Sequence, residues 1–459
     1  MILLINKVMK KKILIISLLF STTAVLAQVT TPLSNEVSRE GQGVSLQSSY
    51  TLDQCKQLAN ENNYTSRSAR NAIEQSQQQQ REAFTKYFPQ ISAQGVAFQA
   101  HKPLLELDLP VQVSQMVGVP TNISVLKKAL MGSVSAVQPV FMGGMIVNSN
   151  RLAKVGLEAS RIKEESSADD VDMQTEKFFW NVISQKEKMK TLNALNEQLT
   201  QLEHDVDAMV RAGIITRNDL LLVQLKHNEI EKQIVRLSSG MKVSKELLAQ
   251  YIGVQQDGFD VTAEVPSEVP PFDASLMRDH QSAVTSTTGY RLLEKNVESQ
   301  RLQHLLKKGA NLPKVGVGAA YTYHDISGAG DGSSASMFAT VSVPLSGWWG
   351  GSYAAKKQKL AYEDAKQQLE DSQQKLIINM DNAWSELDTS YRSLVIARKG
   401  IEQSEENLRL NQSYYKAGTT RLTDLLDAQA SYQKTHDDYV DAYIDYQLNV
   451  LKYKQATGQ

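Results

Sequence analysis

The sequence has one cysteine, few prolines and, after its first 27 residues, no apolar run long enough to cross a membrane. The single cysteine, Cys55, excludes an internal disulfide, so packing must hold the chain together. Cys55 lies in a helical pattern and is expected to be a small buried residue, not a reactive thiol. Without a helical span, a membrane-crossing form of this chain would have to use β-strands.

Patterns of catalysis and metal binding are also absent from the sequence. The seven histidines show no metal-ligand spacing, and we find no phosphate-binding glycine loop, no G-x-S-x-G and no H-E-x-x-H. We therefore expect no enzymatic activity, no metal and no cofactor. The formal net charge of −1 gives no basic footprint for a nucleic-acid partner. Carboxylate pairs such as Asp437-Asp438 are expected to lie on solvated helix faces.

The first residues have the pattern of a secretory signal peptide. A basic patch precedes the apolar run Ile13–Phe20, and Val25-Leu26-Ala27 fits a cleavage site before Gln28. We therefore predict a signal peptide at 1–27, with an N-terminal anchor helix as the alternative. The polar residues 28–50 that follow are predicted to be loosely held.

The rest of the chain is a duplication with an offset of 205 residues. Three landmarks recur at this spacing: Pro139, Gly213 and Gly253 return as Pro344, Gly418 and Gly458. One register kept over more than a hundred residues indicates two structural repeats. The predicted boundaries are a first repeat at 51–253, a linker containing proline at 254–286 and a second repeat at 287–459.

Each repeat is predicted to contain long helices packed as coiled coils. No proline lies between Pro139 and Pro266 or after Pro344, and both stretches are rich in helix-forming residues. In the first copy apolar residues step by three and four along Leu192, Leu195, Leu199, Leu202 and Val206. In the second copy they fall every seventh residue, at Met380, Leu387, Leu394, Ile401, Leu408 and Tyr415.

The helices are expected to turn back at two glycines. A continuous helix over the 67 residues from Met145 to Arg211 would be roughly 100 Å long. Gly213 and Gly418 interrupt the apolar pattern, which then restarts, so each is read as a tight turn between antiparallel helices. Thr216-x-x-Asp219 and Thr51-x-x-Gln54 are predicted capping boxes.

Before each long helix the residues alternate between apolar and polar, which predicts a β-hairpin. In the second repeat we place strands at about 314–324 and 337–345, with a loop from Asp325 to Ser334. In the first repeat we place them at about 91–100 and 130–141. The spacing from Pro89 to Pro139 is 50 residues, against 31 from Pro313 to Pro344, so the first loop is 19 residues longer.

These hairpins have two possible interpretations. A small soluble sheet packed on helices is one. The other is a share of a membrane barrel, because strands of about 10 residues match a tilted transmembrane strand. Four strands cannot close a barrel by themselves, and an open edge cannot face lipid. Three copies would give twelve strands, enough to leave a bore.

The chain resembles the TolC-like outer-membrane efflux protein family. The resemblance rests on the order of the elements, on the duplication, and on Phe88-Pro89-Gln90, the run Gln138–Gly144 and the run Ala417–Ala428. It implies a mainly α fold with a transmembrane β part: a homotrimer with a 12-stranded outer-membrane barrel, continued by a helical periplasmic tunnel. It also implies docking to a periplasmic adaptor and an inner-membrane pump.

On this resemblance the expected function is a passive exit duct for small molecules in the outer membrane. A type I protein secretion outlet is the alternative within the family. A soluble periplasmic coiled-coil adaptor is the alternative from another class, and it would contain no paired hairpins at one end.

The resemblance also assigns functional residues. Asp424 and Asp427 match an acidic ring at the periplasmic aperture, although an Asp near a helix N-terminus can simply favour the helix dipole. Tyr415 and Asp219 match a closed-state latch. The latch Arg of the family aligns with Thr420, so Arg421 is a candidate rotated by about 100° on a helix.

Two further groups of residues are predicted from the resemblance and the hairpin pattern. The two turns are expected to be the exposed tunnel tips where the adaptor docks, and they contain Gly213, Ile214, Gly418 and Thr419. The aromatic pair Tyr321 and Tyr323 is expected to lie in a lipid-facing girdle.

Overall fold

The computed structural model describes residues 49–102, 105–108, 110–118, 121–125, 127–327 and 330–459. The predicted signal peptide and nearly all of the polar segment that follows it lie outside the described residues. In the described part of the chain, no helix is both long and apolar enough to cross a lipid bilayer.

The first repeat begins with two helices, whose caps follow from the sequence. The predicted capping box is present: the Thr51 N–H donates to the Gln54 side chain at 3.0 Å, and the Thr51 hydroxyl accepts the Gln54 N–H at 3.5 Å. The elements of this repeat are α1 (Leu52–Asn62), α2 (Tyr64–Thr85), β1 (Gln90–Gln99), β2 (Leu105–Asp108), α3 (Val111–Val117), β3 (Asn122–Val125), β4 (Lys128–Met142), α4 (Met145–Arg211) and α5 (Arg217–Ile252).

The second repeat has the same order of elements without the inserted β2, α3 and β3. It is preceded by a linker with a short helix, α6 (His280–Ala283). The elements of this repeat are α7 (Thr288–Ala310), β5 (Lys314–Ile326), β6 (Gly330–Ser342), α8 (Gly350–Lys416) and α9 (Leu422–Thr457).

The structure confirms the duplication. Helices α4 and α8 have 67 residues each, and α5 and α9 have 36 each. Each helix of the second repeat begins and ends 205 residues after its counterpart. The insertion that lengthens the first hairpin is the small β2–β3 ladder with α3, which the sequence analysis treated as a plain loop.

The four long strands form one antiparallel sheet in the order β1-β4-β5-β6. The predicted loop from Asp325 to Ser334 was too long, because residues 325–326 belong to β5 and 330–334 belong to β6. The glycines and serines of this stretch have low strand propensity alone. They extend the strand because β5 lies alongside and offers a continuous row of backbone partners.

A close approach of two glycines fixes the angle between the sheet and the helices. A Cβ on Gly143 would lie 2.2 Å from the carbonyl oxygen of Gly309, and a Cβ on Gly309 would lie 2.4 Å from that of Gly143. Only glycine permits such contact. The end of α7 therefore touches the turn from which α4 starts.

Helix α4 organises the helical part through different neighbours along its length. Its first half pairs with α7, through Lys295–Glu158 at 2.7 Å and Arg291–Glu165 at 2.8 Å. Its middle and second half pair with α9 and α5, through Lys188–Asp441 at 2.7 Å and His227–Glu203 at 2.8 Å.

The main core lies at mid-length of the long helices, where α1, the linker, α4, α8 and α9 meet. Phe179, Ile183, Leu387 and Tyr453 are fully buried there. Cys55 is also buried, as expected, and burial raises the pKa of its thiol to about 12, which keeps it protonated and unreactive.

Below this core the predicted apolar seams pack as coiled coils. The buried seam of the first repeat contains Leu192, Leu195, Leu199 and Val206, and that of the second contains Met380, Leu387, Leu394, Ile401 and Leu408. Ser244, the polar exception in the seam of α5, accepts hydrogen bonds from the side chains of Asn181 and Gln185 at 3.2 and 2.9 Å.

Candidate functional site

The sheet has one apolar face, which no part of the described chain covers. Directly opposed residues of neighbouring strands share a face, and the register gives two rows across all four strands. These rows are Ile91, Ala136, Ala319 and Met337, and then Ala93, Val134, Tyr321 and Ala335. Ile91 is 75 % exposed and Met337 91 % exposed. Apolar side chains this accessible in a continuous band need a partner that is not water.

The predicted girdle residues lie on this apolar face. Tyr321 is opposite Val134 and Ala335, and Tyr323 is opposite Gly132 and Ser333. Tyr321 is 54 % exposed and Tyr323 is half-buried. Both are near the middle and upper part of β5, away from the helices.

The opposite face of the sheet is polar. One row across it is Gln94, Ser133, Thr322 and Ser334, and the next contains Ser92, Ser135, Ala320 and Ser336. The hydroxyls of Ser92 and Ser135 are 3.0 Å apart and form a hydrogen bond. A sheet with one apolar and one polar face suits a boundary between lipid and water.

The sheet also has two open edges. In the described part of the chain, β1 pairs only with β4 and β6 pairs only with β5. Long unpaired edges present rows of free backbone groups that readily pair with another strand. The geometry therefore invites the β1 edge of one chain to meet the β6 edge of another.

The far ends of the long helices form two tips with the same turn. Gly213 and Gly418 adopt left-handed conformations with φ of 74° and 71°. In each turn the glycine N–H bonds three residues back and the next N–H five residues back, at distances of 2.9 to 3.0 Å. This is a Schellman motif. The predicted docking residues Gly213, Ile214, Gly418 and Thr419 are all exposed at these tips.

The two tips pack against each other through an apolar tip cluster. Val206 and Val223 of the first repeat are buried with Leu422 and Leu426 of the second, and Tyr415 packs against them. Any movement of one tip away from the other must expose this cluster to water, at about 25 cal/mol per Å² of apolar surface.

The acidic residues just after the turns have capping roles. The Asp219 carboxylate accepts the Thr216 N–H at 3.1 Å and the Thr216 hydroxyl at 2.7 Å. The Asp424 carboxylate accepts the Arg421 N–H at 3.3 Å and the Thr420 hydroxyl at 2.9 Å. Asp219 thus forms the predicted capping box, and Asp424 starts α9 in the same way. Asp424 remains exposed, so capping does not remove its charge from the surface.

The latch candidates are close together only in part. Burial and then the nearby carboxylates of Asp219 and Asp205 raise the pKa of the Tyr415 phenol. The Asp219 carboxylate is engaged by Thr216, and among the described residues it has no hydrogen bond to Tyr415. The Arg421 side chain is exposed, and within the described chain it forms no ion pair.

Asp427 lies one turn after Asp424 and has a different environment. It is exposed and borders a groove of about 340 Å³ between α5 and α9, with Lys226 of α5 on the same groove. Leu222 and Leu426 form part of its apolar wall. The two aspartates are therefore exposed carboxylates on one side of the tip, as the sequence spacing predicts.

Several polar links between the repeats were missed by sequence reasoning. The Gln433 amide donates to Gln233 at 2.9 Å, and the Ser184 hydroxyl donates to Asp441 at 3.2 Å. Periodicity identifies which residues share a helix face but not which helices become neighbours.

One expectation about a carboxylate pair was wrong. Asp438 is exposed as expected, but Asp437 is partly buried, and desolvation raises the pKa of its carboxyl to about 6. The Lys188 ammonium opposes this shift, and the carboxylates of Asp441 and Asp438 add to it.

Comparisons with known proteins agree with this geometry. Residues 292–459 match the family described as outer membrane efflux protein. The outer membrane efflux protein BepC of Brucella suis is 26 % identical over 267 residues, which are 55 % of this chain and 56 % of BepC. The outer membrane protein TolC of Escherichia coli is 24 % identical over 143 residues, 31 % of this chain and 28 % of TolC. The matches thus span about half the length of BepC and less of TolC.

Solved structures show the same fold. The Campylobacter jejuni CmeC outer membrane channel aligns with a TM-score of 0.73 at 13 % identity, over 89 % of this chain and 85 % of that one. The outer-membrane channel OprN gives 0.72 at 14 % identity, over 89 % of each chain. The Neisseria gonorrhoeae MtrE outer membrane channel, in its open state, gives 0.69 at 16 % identity, over 89 % of this chain and 88 % of that one. The fold and the resemblance predicted from the sequence are confirmed.

Proposed function

From this resemblance and from the two-faced sheet, we propose that the protein is the outer-membrane channel of a tripartite efflux system. In this proposal it is a passive duct through which small molecules leave the cell. An inner-membrane pump supplies the energy and is reached through a periplasmic adaptor. Asp424 and Asp427 provide an acidic aperture at the tips.

The observation that carries the proposal is the sheet. Its apolar band extends from Val315 to Asp325, ten residues along β5, or about 33 Å at the usual rise per residue. A strand tilted by about 40° would then span about 25 Å, the height of the apolar band of an outer-membrane barrel. The paired hairpins also speak against a coiled-coil adaptor.

Closure of the barrel requires other copies of the chain. The open edges of β1 and β6 have no partner within the described chain, and backbone groups cannot be left unpaired in lipid. Three copies would supply twelve strands, with the polar rows of Gln94, Ser133, Thr322 and Ser334 facing the bore. The long helices would continue the bore away from the membrane.

The tips would be the closed end of the duct. Three copies would bring six carboxylates of Asp424 and Asp427 around one axis, which attracts cations and repels anions. Tyr415, Asp219 and Arg421 would tie the neighbouring helices in the closed state. The exposed turns at Gly213, Ile214, Gly418 and Thr419 would be the docking surface for the adaptor.

Single-channel recording in a planar bilayer tests the proposal. We expect a small cation-preferring conductance from the purified protein. Replacing both aspartates (Asp424→Ala with Asp427→Ala) should raise the conductance and weaken the cation preference. A matched control (Glu197→Ala with Asp205→Ala) removes two exposed acids of α4 and should leave both quantities unchanged.

The possible outcomes are separable. Absence of any conductance in lipid would overturn the channel proposal itself. A conductance whose ion preference is the same in the double variant and in the parent would leave the channel but remove the aperture assignment.

A further inference from the structure

The junction between the sheet and the helices has a large excess of positive charge. We consider the ten residues of α2, α4, α7 and α8 nearest the sheet, together with the segments that join them to the strands. Glu82 is the sole acid in these segments, whereas the whole chain has a net charge of −1. The cations are Arg81, Lys86, Arg151, Lys154, Arg301, Lys307, Lys308, Lys314, Lys356, Lys357 and Lys359.

One side of this junction is identified by two adjoining cavities. A groove of about 640 Å³ between α2 and α7 is lined by Gln79, Ala83 and Lys86, by Ser149 and Gly156, and by Ser299 and Gln303. A second cavity shares Lys86 and Ser149 with it. The second cavity is also lined by Gln90, Val137, Thr340 and Ser342, which belong to the polar face of the sheet. The groove is therefore on the polar-face side of the helices.

Five of the cations project from the other side of these helices. Residues two or five apart in an α-helix point in nearly opposite directions. Arg81 is two residues from Gln79 and Ala83, and Arg301 is two residues from Ser299 and Gln303. By the same spacing from the groove residues Ser149, Gly156 and Gln303, the remaining three are Arg151, Lys154 and Lys308. All five are exposed.

These five cations are largely unneutralised. Lys154 is 3.9 Å from the Glu158 carboxylate and Arg301 is 4.0 Å from that of Glu298, both at the outer limit of an ion pair. In the described part of the chain, Arg81, Arg151 and Lys308 are in no ion pair. The single acid of the junction, Glu82, borders the groove and so lies on the polar-face side.

Aromatic side chains lie on the same side as the five cations. Phe84 is five residues from Gln79 and so points away from the groove, and its ring contacts that of Phe88 at 5.5 Å. Phe84 and Phe88 are 55 % and 52 % exposed. Gln138, which is on the apolar face opposite Val317, donates to the Tyr87 carbonyl at 3.0 Å. The aromatic group thus continues the apolar face of the sheet toward the helices.

We propose that this surface, an aromatic-basic collar, binds the anionic phospholipids of the leaflet that borders the helical end of the sheet. The inference rests on the proposed membrane position of the sheet. Phe84 and Phe88 would lie at the boundary of the acyl region, as aromatic side chains do at membrane interfaces. Arg81, Arg151, Lys154, Arg301 and Lys308 would then bind lipid phosphates.

The distances suit this arrangement. At 1.5 Å per helical residue, all five cations are within about 15 Å of the ends of the helices next to the sheet. Lys and Arg side chains are long enough to extend their charged groups from there to the headgroup layer. Each cation near an anionic surface contributes to binding, and the contribution falls with added salt.

Native mass spectrometry of the protein purified in detergent tests the collar. The protein is incubated with equal amounts of phosphatidylglycerol, which is anionic, and phosphatidylcholine, which is zwitterionic. We expect about a tenfold or greater preference for phosphatidylglycerol. The preference should disappear when all five collar cations are replaced (Arg81→Gln, Arg151→Gln, Lys154→Gln, Arg301→Gln and Lys308→Gln).

Two matched variants sharpen the experiment. A control neutralises five exposed cations far from the junction (Lys232→Gln, Arg236→Gln, Lys242→Gln, Lys399→Gln and Lys434→Gln) and should keep the preference. A charge-conserving variant (Arg81→Lys, Arg151→Lys and Arg301→Lys) should also keep it, which separates lost charge from damaged folding.

The collar is overturned if the parent protein shows no preference, or if the collar and control variants behave alike. It is also overturned if inorganic phosphate at the same concentration competes fully with phosphatidylglycerol, because the surface would then be a site for free anions. Failure of the collar leaves channel conductance in a zwitterionic bilayer intact. Failure of the proposed function abolishes conductance in every lipid.

Discussion

The two repeats have equal helices but unequal packing at their tips. Leu195, Leu199 and Ile230 of the first repeat are buried apolar residues. Their counterparts 205 residues later are Gly400, Ser404 and Thr435. The Ser404 and Thr435 hydroxyls hydrogen-bond to each other within the pair formed by α8 and α9. The first tip is held by apolar burial, and the second by small residues and hydrogen bonds.

This difference shows how one fold can contain a firm part and a movable part. Apolar burial of a large side chain contributes more to stability than a hydrogen bond, which exchanges with water at little net gain. The second repeat also has more polar groups with raised pKa values along its returning helix, at Asp437 and Asp445. If one tip moves when the duct opens, the packing favours the second.

The largest expected effect is a truncation in the firm tip. Leu199→Ala removes a fully buried side chain and should lower the free energy of unfolding by about 2–5 kcal/mol. The counterpart change, Ser404→Ala, loses hydrogen bonds to the Ile401 carbonyl and to Thr435 and should cost only about 1 kcal/mol. Urea unfolding followed by far-UV circular dichroism compares the two. Equal losses would remove the distinction between the tips.

The next effect concerns the helix caps. Thr216→Ala removes the hydroxyl that bonds to Asp219 and should cost about 1 kcal/mol. Its counterpart is Arg421, which contributes only its backbone N–H, so Arg421→Ala should stay within about 0.5 kcal/mol of the parent. The same unfolding experiment measures both. A larger loss in Arg421→Ala would mean that its side chain holds the tip, as a latch residue would.

A pH dependence is expected from the second repeat alone. The pKa of Asp437 is raised to about 6 by burial, so the folded state holds its proton more tightly than the unfolded state. The stability it contributes is therefore present in acid and lost as the pH rises from about 4 to about 6. Asp437→Asn should be more stable than the parent at neutral pH, on the order of 1 kcal/mol once solvent screening is allowed for.

Thermal unfolding between acidic and mildly basic pH measures this slope. The position equivalent to Asp437 in the first repeat is Lys232, an exposed residue, so Lys232→Gln should leave the pH profile unchanged. Identical profiles for the parent and Asp437→Asn would show that the carboxyl is solvated.

The smallest effect is a stabilising one. A Cβ added at Gly400 would lie 3.6 Å from the nearest atom of Thr435, an ordinary van der Waals distance. Gly400→Ala should therefore raise stability by about 0.5–1 kcal/mol through helix propensity. A loss of stability instead would show that α8 and α9 approach more closely than the structure indicates.

The long helices could be predicted from the sequence because their signals are local. Proline-free stretches, seven-residue periodicity and the glycines at 213 and 418 define α4, α5, α8 and α9, and the duplication repeats the evidence. The end of β5 and the start of β6 could not be predicted as well. Gly332 and Ser333 have little strand propensity and become strand because Tyr323 and His324 lie opposite.

The candidate site was predictable only where it depends on position along one helix. The spacing of Asp424 and Asp427 gave their shared side correctly. Contacts between elements, such as Gln433 with Gln233 or Lys188 with Asp441, depend on which helices become neighbours, and no local pattern contains that information. The partial burial of Asp437 has the same cause.

The mass of the assembled protein tests the central claim most directly. If the open edges of β1 and β6 close against neighbouring copies, light scattering of the detergent-purified protein, after subtraction of bound detergent, should give the mass of three chains. The complex should lose its sheet content when it dissociates. A detergent-free monomer that keeps its sheet in solution would contradict the claim.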